Sequence, residues 1–175
     1  MLRSAQAAAL ELGHGYVGCE HLLLAMLREE EDAPGRALRA SGVEEEKTRA
    51  LITRAVGRGE ADLAPPQGLT PHARCAVEMA VTEAERSGSR EIESGHLLLG
   101  MLRDGGNMAV RLLHREGVDT RKLYGDTVRA MSLTVRKSAG GEPRAVNTAV
   151  VTPLTVVRAN GKTWLESLTK IIRIP

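Results

Sequence analysis

The chain has 175 residues, 42% of them hydrophobic and 26% charged, with a formal net charge of +2. No uninterrupted apolar run approaches the roughly 18 to 20 residues of a bilayer-spanning helix, so the expectation is a soluble, cytoplasmic protein without a membrane partner. With no Phe, one Trp and two Tyr it has little to stack on nucleobases, so no nucleic-acid partner is expected, and Cys19 and Cys75 stand in different contexts that do not form a disulfide framework.

Residues 2–12 are strong helix formers, and Gly13 supplies the left-handed residue that ends a helix. After the loop His14–Gly18, residues 20–29 form a second helix with Leu22, Leu23, Met26 and Leu27 on one buried stripe. Asp32 and Pro34 mark the start of a third helix and Gly42 its stop, and a fourth fits residues 44–57, where Glu44, Glu45 and Glu46 complement the helix dipole. Ala64-Pro65-Pro66-Gln67-Gly68 breaks the pattern as a linker. Thr70 and Pro71 then cap and open a fifth helix running to Gly88, with Ala73, Val77, Ala80, Val81 and Ala84 inward; Ser94, Asn107 and Asp119 cap the sixth, seventh and eighth.

The sequence His21-Leu-Leu-Leu-Ala-Met-Leu-Arg28 returns 75 residues later as His96-Leu-Leu-Leu-Gly-Met-Leu-Arg103. The same offset pairs Gly13 with Gly88, Arg36 with Arg111, Leu38 with Leu113, Gly42 with Gly117, Val43 with Val118 and Lys47 with Lys122. One register held without a gap means that helix and turn lengths are repeated too. The expected fold is therefore all-α: two tandem four-helix pseudo-repeats at 1–63 and 70–131, joined by a linker at 64–69. Each unit, about 64 residues, is too small to bury enough surface alone, so the two share one core.

Residues 132–175 differ in texture. They carry a net charge of +5 against −3 for residues 1–131. Ser138–Pro143 reads as a linker, and the β-branched stretch 149–157 followed by Asn160-Gly161 signals a hairpin pairing roughly 154–159 with 162–166. An isolated hairpin is marginal in water, so disorder or packing against a partner stands as the alternative.

The candidate chemistry is sparse. Gly161-Lys162-Thr163 resembles the end of a phosphate-binding loop, but the required earlier glycine is Val156, so a turn is the better reading and no nucleotide cofactor is expected. Cys19-Glu20-His21 with His14 suggests a metal cluster or an activated thiol, yet adjacent helical residues point about 100° apart and do not converge. The second copy keeps His96 but has Ser94 and Gly95 for Cys19 and Glu20, so a shared structural task for the two histidines, such as bonding a loop carbonyl at the helix start, fits better than metal ligation. The acidic runs 29–32 and 44–46 read as solvated helix ends. No paired acid and base, nucleophile triad or metal set remains, so no enzymatic activity is expected.

The duplicated signature with Gly13-His14, Gly18 to Arg28, Ala37-Leu38, Gly42 and the second copy from Leu69-Thr70-Pro71-His72-Ala73 resembles the N-terminal repeat domain of the Clp-family ATPases, of the ClpC and ClpA type, over residues 1–131. The resemblance implies a module that recruits protein substrates or adaptors for a ring-shaped unfoldase in chaperone and proteolysis pathways. Nothing in the chain resembles the ATPase modules, so it implies a stand-alone domain whose partners include Clp ATPase or protease subunits. In ClpC-like relatives, phosphorylated arginine is held at two equivalent sites, each joining the Thr that starts the first helix of a repeat to the Glu before the signature His. Here the first site keeps Glu20 without its Thr, since helix one begins late, and the second keeps Thr70 but has Gly95 for the Glu. Losing one partner of a charge-assisted pair costs a few kcal/mol, about 100-fold in affinity, so phosphoarginine recognition is expected to be weakened. The alternative is a repurposed scaffold or enzyme-associated helical protein whose basic tail docks on another partner.

Overall fold

Helix-forming runs punctuated by glycine give eight α-helices among the described residues of the computed structural model. These are α1 (Leu2–Glu11), α2 (Cys19–Arg28), α3 (Ala33–Ala40), α4 (Glu45–Val56), α5 (Pro71–Ser87), α6 (Ser94–Asp104), α7 (Met108–Arg115) and α8 (Thr120–Ala139). The structure describes residues 1–29, 31–59, 66, 68–89 and 91–132 in full, and the backbone of 133–139, 155–159, 162–167 and 170–173. Residues 64, 65 and 67 of the linker 64–69 therefore lie outside the described residues.

The duplicated glycines explain their own repetition. Gly13 and Gly88 have φ of 73° and 70°, and Gly42 and Gly117 have 81° and 76°, the left-handed region that a side chain disfavours. At each of the four the residue after the glycine donates its N–H back to a carbonyl five positions earlier: His14 to Ala9, Ser89 to Ala84, Val43 to Leu38 and Val118 to Leu113. At the helix starts, Thr70 Oγ1 accepts from the Ala73 amide, Asn107 Oδ1 from Val110, and Asp119 Oδ1 from Arg121 and Lys122. Ser94 is not a cap. Glu93 holds that position, and the Ser94 hydroxyl instead donates to Asp32 Oδ2 at 2.9 Å, tying the start of α6 to the start of α3.

The repeats interlock. Helix α1 packs against α2 and α5 against α6 as its counterpart, while α3 crosses to pack on α6 and α8, and α7 crosses to pack on α2 and α4. One buried cluster runs through both copies, from Ala5, Leu22 and Met26 to Ala76, Leu98 and Met101. A smaller one joins Ala8, Leu12, Leu24 and Ile52 to Leu112. The apolar stripe expected on α2 is wider than its spacing suggested: every residue from Cys19 to Leu27 is buried. The inward set on α5 is as expected, with Ala73, Val77, Ala80 and Ala84 buried and Val81 packed at the edge of the core.

Past Met131, α8 continues to Ala139, so the helix occupies residues 138 and 139 where the sequence suggests a linker. The extension then holds strands β1 (Thr155–Ala159), β2 (Lys162–Ser167) and β3 (Lys170–Arg173) in an antiparallel ladder. The register Ala159↔Lys162 sets β1 and β2 two residues apart, as the hairpin signal required, and β3 adds a strand that the sequence did not suggest. Asn160 and Gly161 lie outside the described residues, and Lys162 and Thr163, the end of the apparent phosphate-loop motif, are strand residues.

Helices α5 and α6 approach closely at Gly100. A Cβ built there stands 2.8 Å from the Ala80 nitrogen and collides with the Ala76 carbonyl, both immovable backbone atoms of α5. The first copy has Ala25 at this position, fully buried. Gly100→Ala should therefore destabilise the chain by about 1–3 kcal/mol in urea unfolding, despite the better helix propensity of alanine. An unchanged or raised midpoint would contradict this packing.

Candidate functional site

A single parallel bridge places the starts of α2 and α5 side by side. The Val17 amide donates to the Gly68 carbonyl at 2.8 Å, and the Thr70 amide donates to the Val17 carbonyl at 3.0 Å. Thr70 is thus the N-cap of α5, and Glu20 is the second residue of the neighbouring α2. The two residues singled out from the sequence come from different repeats, yet they stand on adjoining helix ends.

Glu20 is 5% exposed and folded back over its own helix start. Its carboxylate covers Gly18 so closely that a Cβ built there would lie 2.5 Å from Oε2. Burial pushes the carboxyl above the usual carboxylate range, against the opposing pull of its own backbone amide and of nearby His14. A buried carboxylate at the N-terminus of a helix is already engaged by the exposed amides and the dipole there. Its availability to an incoming cation depends on leaving that seat.

The two signature histidines are helix caps that work as acceptors. His21 Nδ1 accepts from the Gly18 amide at 2.9 Å, and His96 Nδ1 accepts from the Glu93 amide at 3.0 Å. This corrects the expected bond to a loop carbonyl: the group needing a partner is the amide at the helix start, which a neutral imidazole nitrogen satisfies. The acceptor role fixes the proton on Nε2. His21 Nε2 then donates to His14 Nδ1 at 2.8 Å, and His14 Nε2 donates to the Gly57 carbonyl at 3.2 Å. The relay joins the α1–α2 loop to the end of α4, with Tyr16 stacked on His14 at 5.5 Å between ring centres. In the second copy His96 Nε2 meets Ser87 Oγ at 3.0 Å, and that hydroxyl donates to the Ala84 carbonyl.

These roles leave little chemistry at Cys19-Glu20-His21. Burial pushes the Cys19 thiol far up, with Glu20 adding to the shift, so it stays protonated. Burial pushes His21 down to about 3, with His14 a further cause, and it stays neutral. Among the described residues no group of three or more His, Cys, Asp or Glu is placed to hold a metal ion, and no helix is long and apolar enough to cross a membrane. The acidic run at 44–46 is less solvated than expected: Glu45 accepts from Arg28 Nε at 2.8 Å and from Arg49 at 3.0 Å. Glu30 lies outside the described residues.

At Gly95, where the sequence reading expects the glutamate of a second half-site to be missing, the space is filled by a side chain that this reading overlooked. Gly95 is buried, and a Cβ built on it would stand 2.7 Å from Met131 Cγ and 3.0 Å from Met131 Cε. The internal repeat itself carried the signal, since the position of Met131 corresponds to Val56 in the first copy.

The relay sets an acid limit on the fold. His21 titrates near 6.5 when unfolded and near 3 when folded, so the unfolded chain binds the extra proton first. Its contribution is complete above pH 6.5 and is lost as pH falls toward 3. Glu20, with its raised pKa, acts oppositely as pH rises through the carboxylate range. His21→Gln keeps an acceptor for the Gly18 amide but removes the titration, so its urea midpoint should vary less between pH 6.5 and 4 than that of the parent chain. Equal slopes would remove the assigned role.

The Clp repeat (R) N-terminal domain model matches this chain twice, over residues 1–113 and 68–150, in keeping with the duplication. The Bacillus subtilis negative regulator of genetic competence ClpC/MecB is 33% identical over 155 residues, covering 88% of this chain and 19% of its own. The rice chloroplastic chaperone ClpC2 is 31% identical over 165 residues, covering 90% and 18%. The chain thus spans about a fifth of the length of these curated relatives. Among solved structures, the N-terminal domain of Arabidopsis thaliana ClpD superposes with a TM-score of 0.64 at 21% identity, covering 75% of this chain and 89% of that one. The N-domain of Vibrio cholerae ClpV gives 0.59 at 21% identity, covering 75% and 80%. The double repeat, its register and its relatives agree: this chain belongs to the Clp repeat N-terminal domain family.

Proposed function

We propose that this chain is a protein-binding module of a Clp-type unfolding and proteolysis system. It recruits substrates, adaptors or Clp ATPase subunits in the cytoplasm and performs no ATPase or peptidase chemistry of its own. The observation that carries the reading is the family match across both repeats. The ClpV N-domain, which shares the fold, has been solved in complex with a VipB peptide, which supports a peptide or protein as the ligand class. Residues 1–131 act as the binding unit, with 132–175 as a basic extension.

Within that unit, Glu20 and Thr70 are the ligand-contacting residues. A guanidinium group pairs with a carboxylate through two charge-assisted hydrogen bonds, and a phosphate is favoured by free amides at a helix start. The Val17–Leu69 bridge supports this assignment by bringing one group of each kind to neighbouring helix ends. The seat of Glu20 over Gly18 works against it, because the carboxylate must be drawn from its own helix, and affinity for free phosphoarginine is therefore low.

Calorimetry of the purified chain against Clp ATPase rings and against a phosphoarginine-bearing protein tests both statements. Binding is expected to at least one of them, and Glu20→Ala should weaken the phosphoarginine interaction about 100-fold. Binding unaffected by Glu20→Ala would remove Glu20 from the site. Absence of binding to either partner would overturn the functional reading.

A further inference from the structure

Tyr16 is held fixed by its neighbours and yet left in contact with water. It is 38% exposed, and it is the aromatic one among the exposed large hydrophobic side chains of the described residues. Its ring lies parallel to His14, with centres 5.5 Å apart, and stands across His21 at 5.9 Å. The 2.8 Å bond of the relay joins those two histidines, so together they form a rigid mount. A ring pinned in this way loses little conformational freedom when a ligand settles on it. Glu20 borders the same mount, with Oε1 3.6 Å from His21 Nδ1. Burial raises the Tyr16 phenol, and the charge of Glu20 raises it further, as expected of groups that sense one another. Val17, the next residue, makes the bridge to Gly68 and Thr70. At the offset of 75 the second copy has Glu91 and Gly95 for Tyr16 and Glu20, so the pairing of an aromatic with a buried acid belongs to the first copy.

We propose that Tyr16 is a specificity-determining residue of the Glu20 site. Its ring is the platform on which the guanidinium of an arginine side chain lies while Glu20 pairs with it, in preference to the ammonium of lysine. The inference rests on the reading of Glu20 as a ligand residue. A guanidinium is planar, delocalised and weakly hydrated, so it stacks on an aromatic face at small desolvation cost, whereas an ammonium is compact and strongly hydrated. A carboxylate alone attracts both cations, and the ring decides between them. Because the platform acts through its π face, the phenolic hydroxyl is dispensable.

Titration of the full chain with argininamide and with lysinamide, followed by NMR shifts of the amides at the start of α2 and of the Tyr16 ring, tests the platform. Argininamide should bind more tightly than lysinamide and move the ring resonances, and Glu20→Gln should abolish both titrations. Tyr16→Phe, which keeps the ring, should retain the affinity and the preference. Tyr16→Leu, which still covers His14 with apolar bulk, should lose about two- to fivefold in argininamide affinity and most of the preference. Parent-like affinities in Tyr16→Leu, with binding still lost in Glu20→Gln, would overturn the platform and leave the Glu20 reading standing. The same follows if Tyr16→Phe loses as much as Tyr16→Leu, since the hydroxyl and not the ring face would then be the contact. Binding untouched by Glu20→Gln removes both readings. A parent that neither amide shifts also overturns the proposal, while the phosphoarginine calorimetry decides the role of Glu20 separately.

Discussion

The structure depends on the complete burial of α2. Nine consecutive residues of a ten-residue helix, Cys19 to Leu27, are shielded from water, and only Arg28 at its end is not. No set of three neighbours from one repeat encloses a helix on every side. The missing cover comes from α5, α6 and α7 of the second repeat, while α3 returns the exchange by packing on α6 and α8. A duplication of small units thus becomes one core, because neither central helix can be buried by its own copy. Polar ties follow the same crossing, from Ser94 to Asp32 and from Thr48 to Glu116.

Burial of α2 also dictates what stands at its N-terminus. The first amides of a helix need acceptors, and where water is excluded those acceptors must be side chains. His21 meets that need with Nδ1, which forces its proton to Nε2 and creates the relay through His14 to Gly57. Glu20 is drawn into the same shielded end. The motif that looked like a reactive cluster is the price of burying a helix start, and its neutral histidine and protonated thiol follow from low solvation.

Much of the fold was legible because the chain is written twice. Gly13 with Gly88 and Gly42 with Gly117 announced four helix ends, and Thr70, Asn107 and Asp119 announced three starts, all governed by local backbone rules. What stayed hidden depends on contacts between distant parts. The stripe on α2 gave no sign that the remaining faces were covered too. Ser94 has the chemistry of a cap, but tertiary proximity to Asp32 and the rival acceptor His96 redirected it. The continuation of α8 to Ala139 follows from the absence of Gly and Pro between Ser132 and Ala139, and it overruns the expected linker only at residues 138 and 139. At the site, Glu20 and Thr70 were visible by resemblance, whereas their placement on adjoining helix ends needed the Val17–Leu69 bridge, which has no sequence signature.

The charged end of the repeated signature shows what duplication retains. Arg28 reaches Glu11 of α1 and Glu45 of α4, whereas Arg103 reaches Glu83 of α5, whose other oxygen accepts from Tyr124 of α8. Burial opposes ionisation of Glu83, but the bonds from Arg103 and Tyr124 outweigh it and hold the carboxyl below its usual range. The acids sit at unmatched positions: at the offset of 75, Glu11 corresponds to Arg86, Glu45 to Thr120 and Glu83 to Ala8. Yet in both copies the arginine belongs to a network that joins the first and fourth helices of its repeat, directly through Arg28 in one and through Glu83 in the other. Selection for a job that several arrangements can perform lets the partners drift, so the arginine persists while its carboxylates change places. The same tolerance operates at the opposite end of these helices, where a glutamate in one copy and a methionine from α8 in the other cover the two helix starts. There the substitutes differ in charge, so an exchange that preserves the filling of the helix start does not preserve its electrostatics.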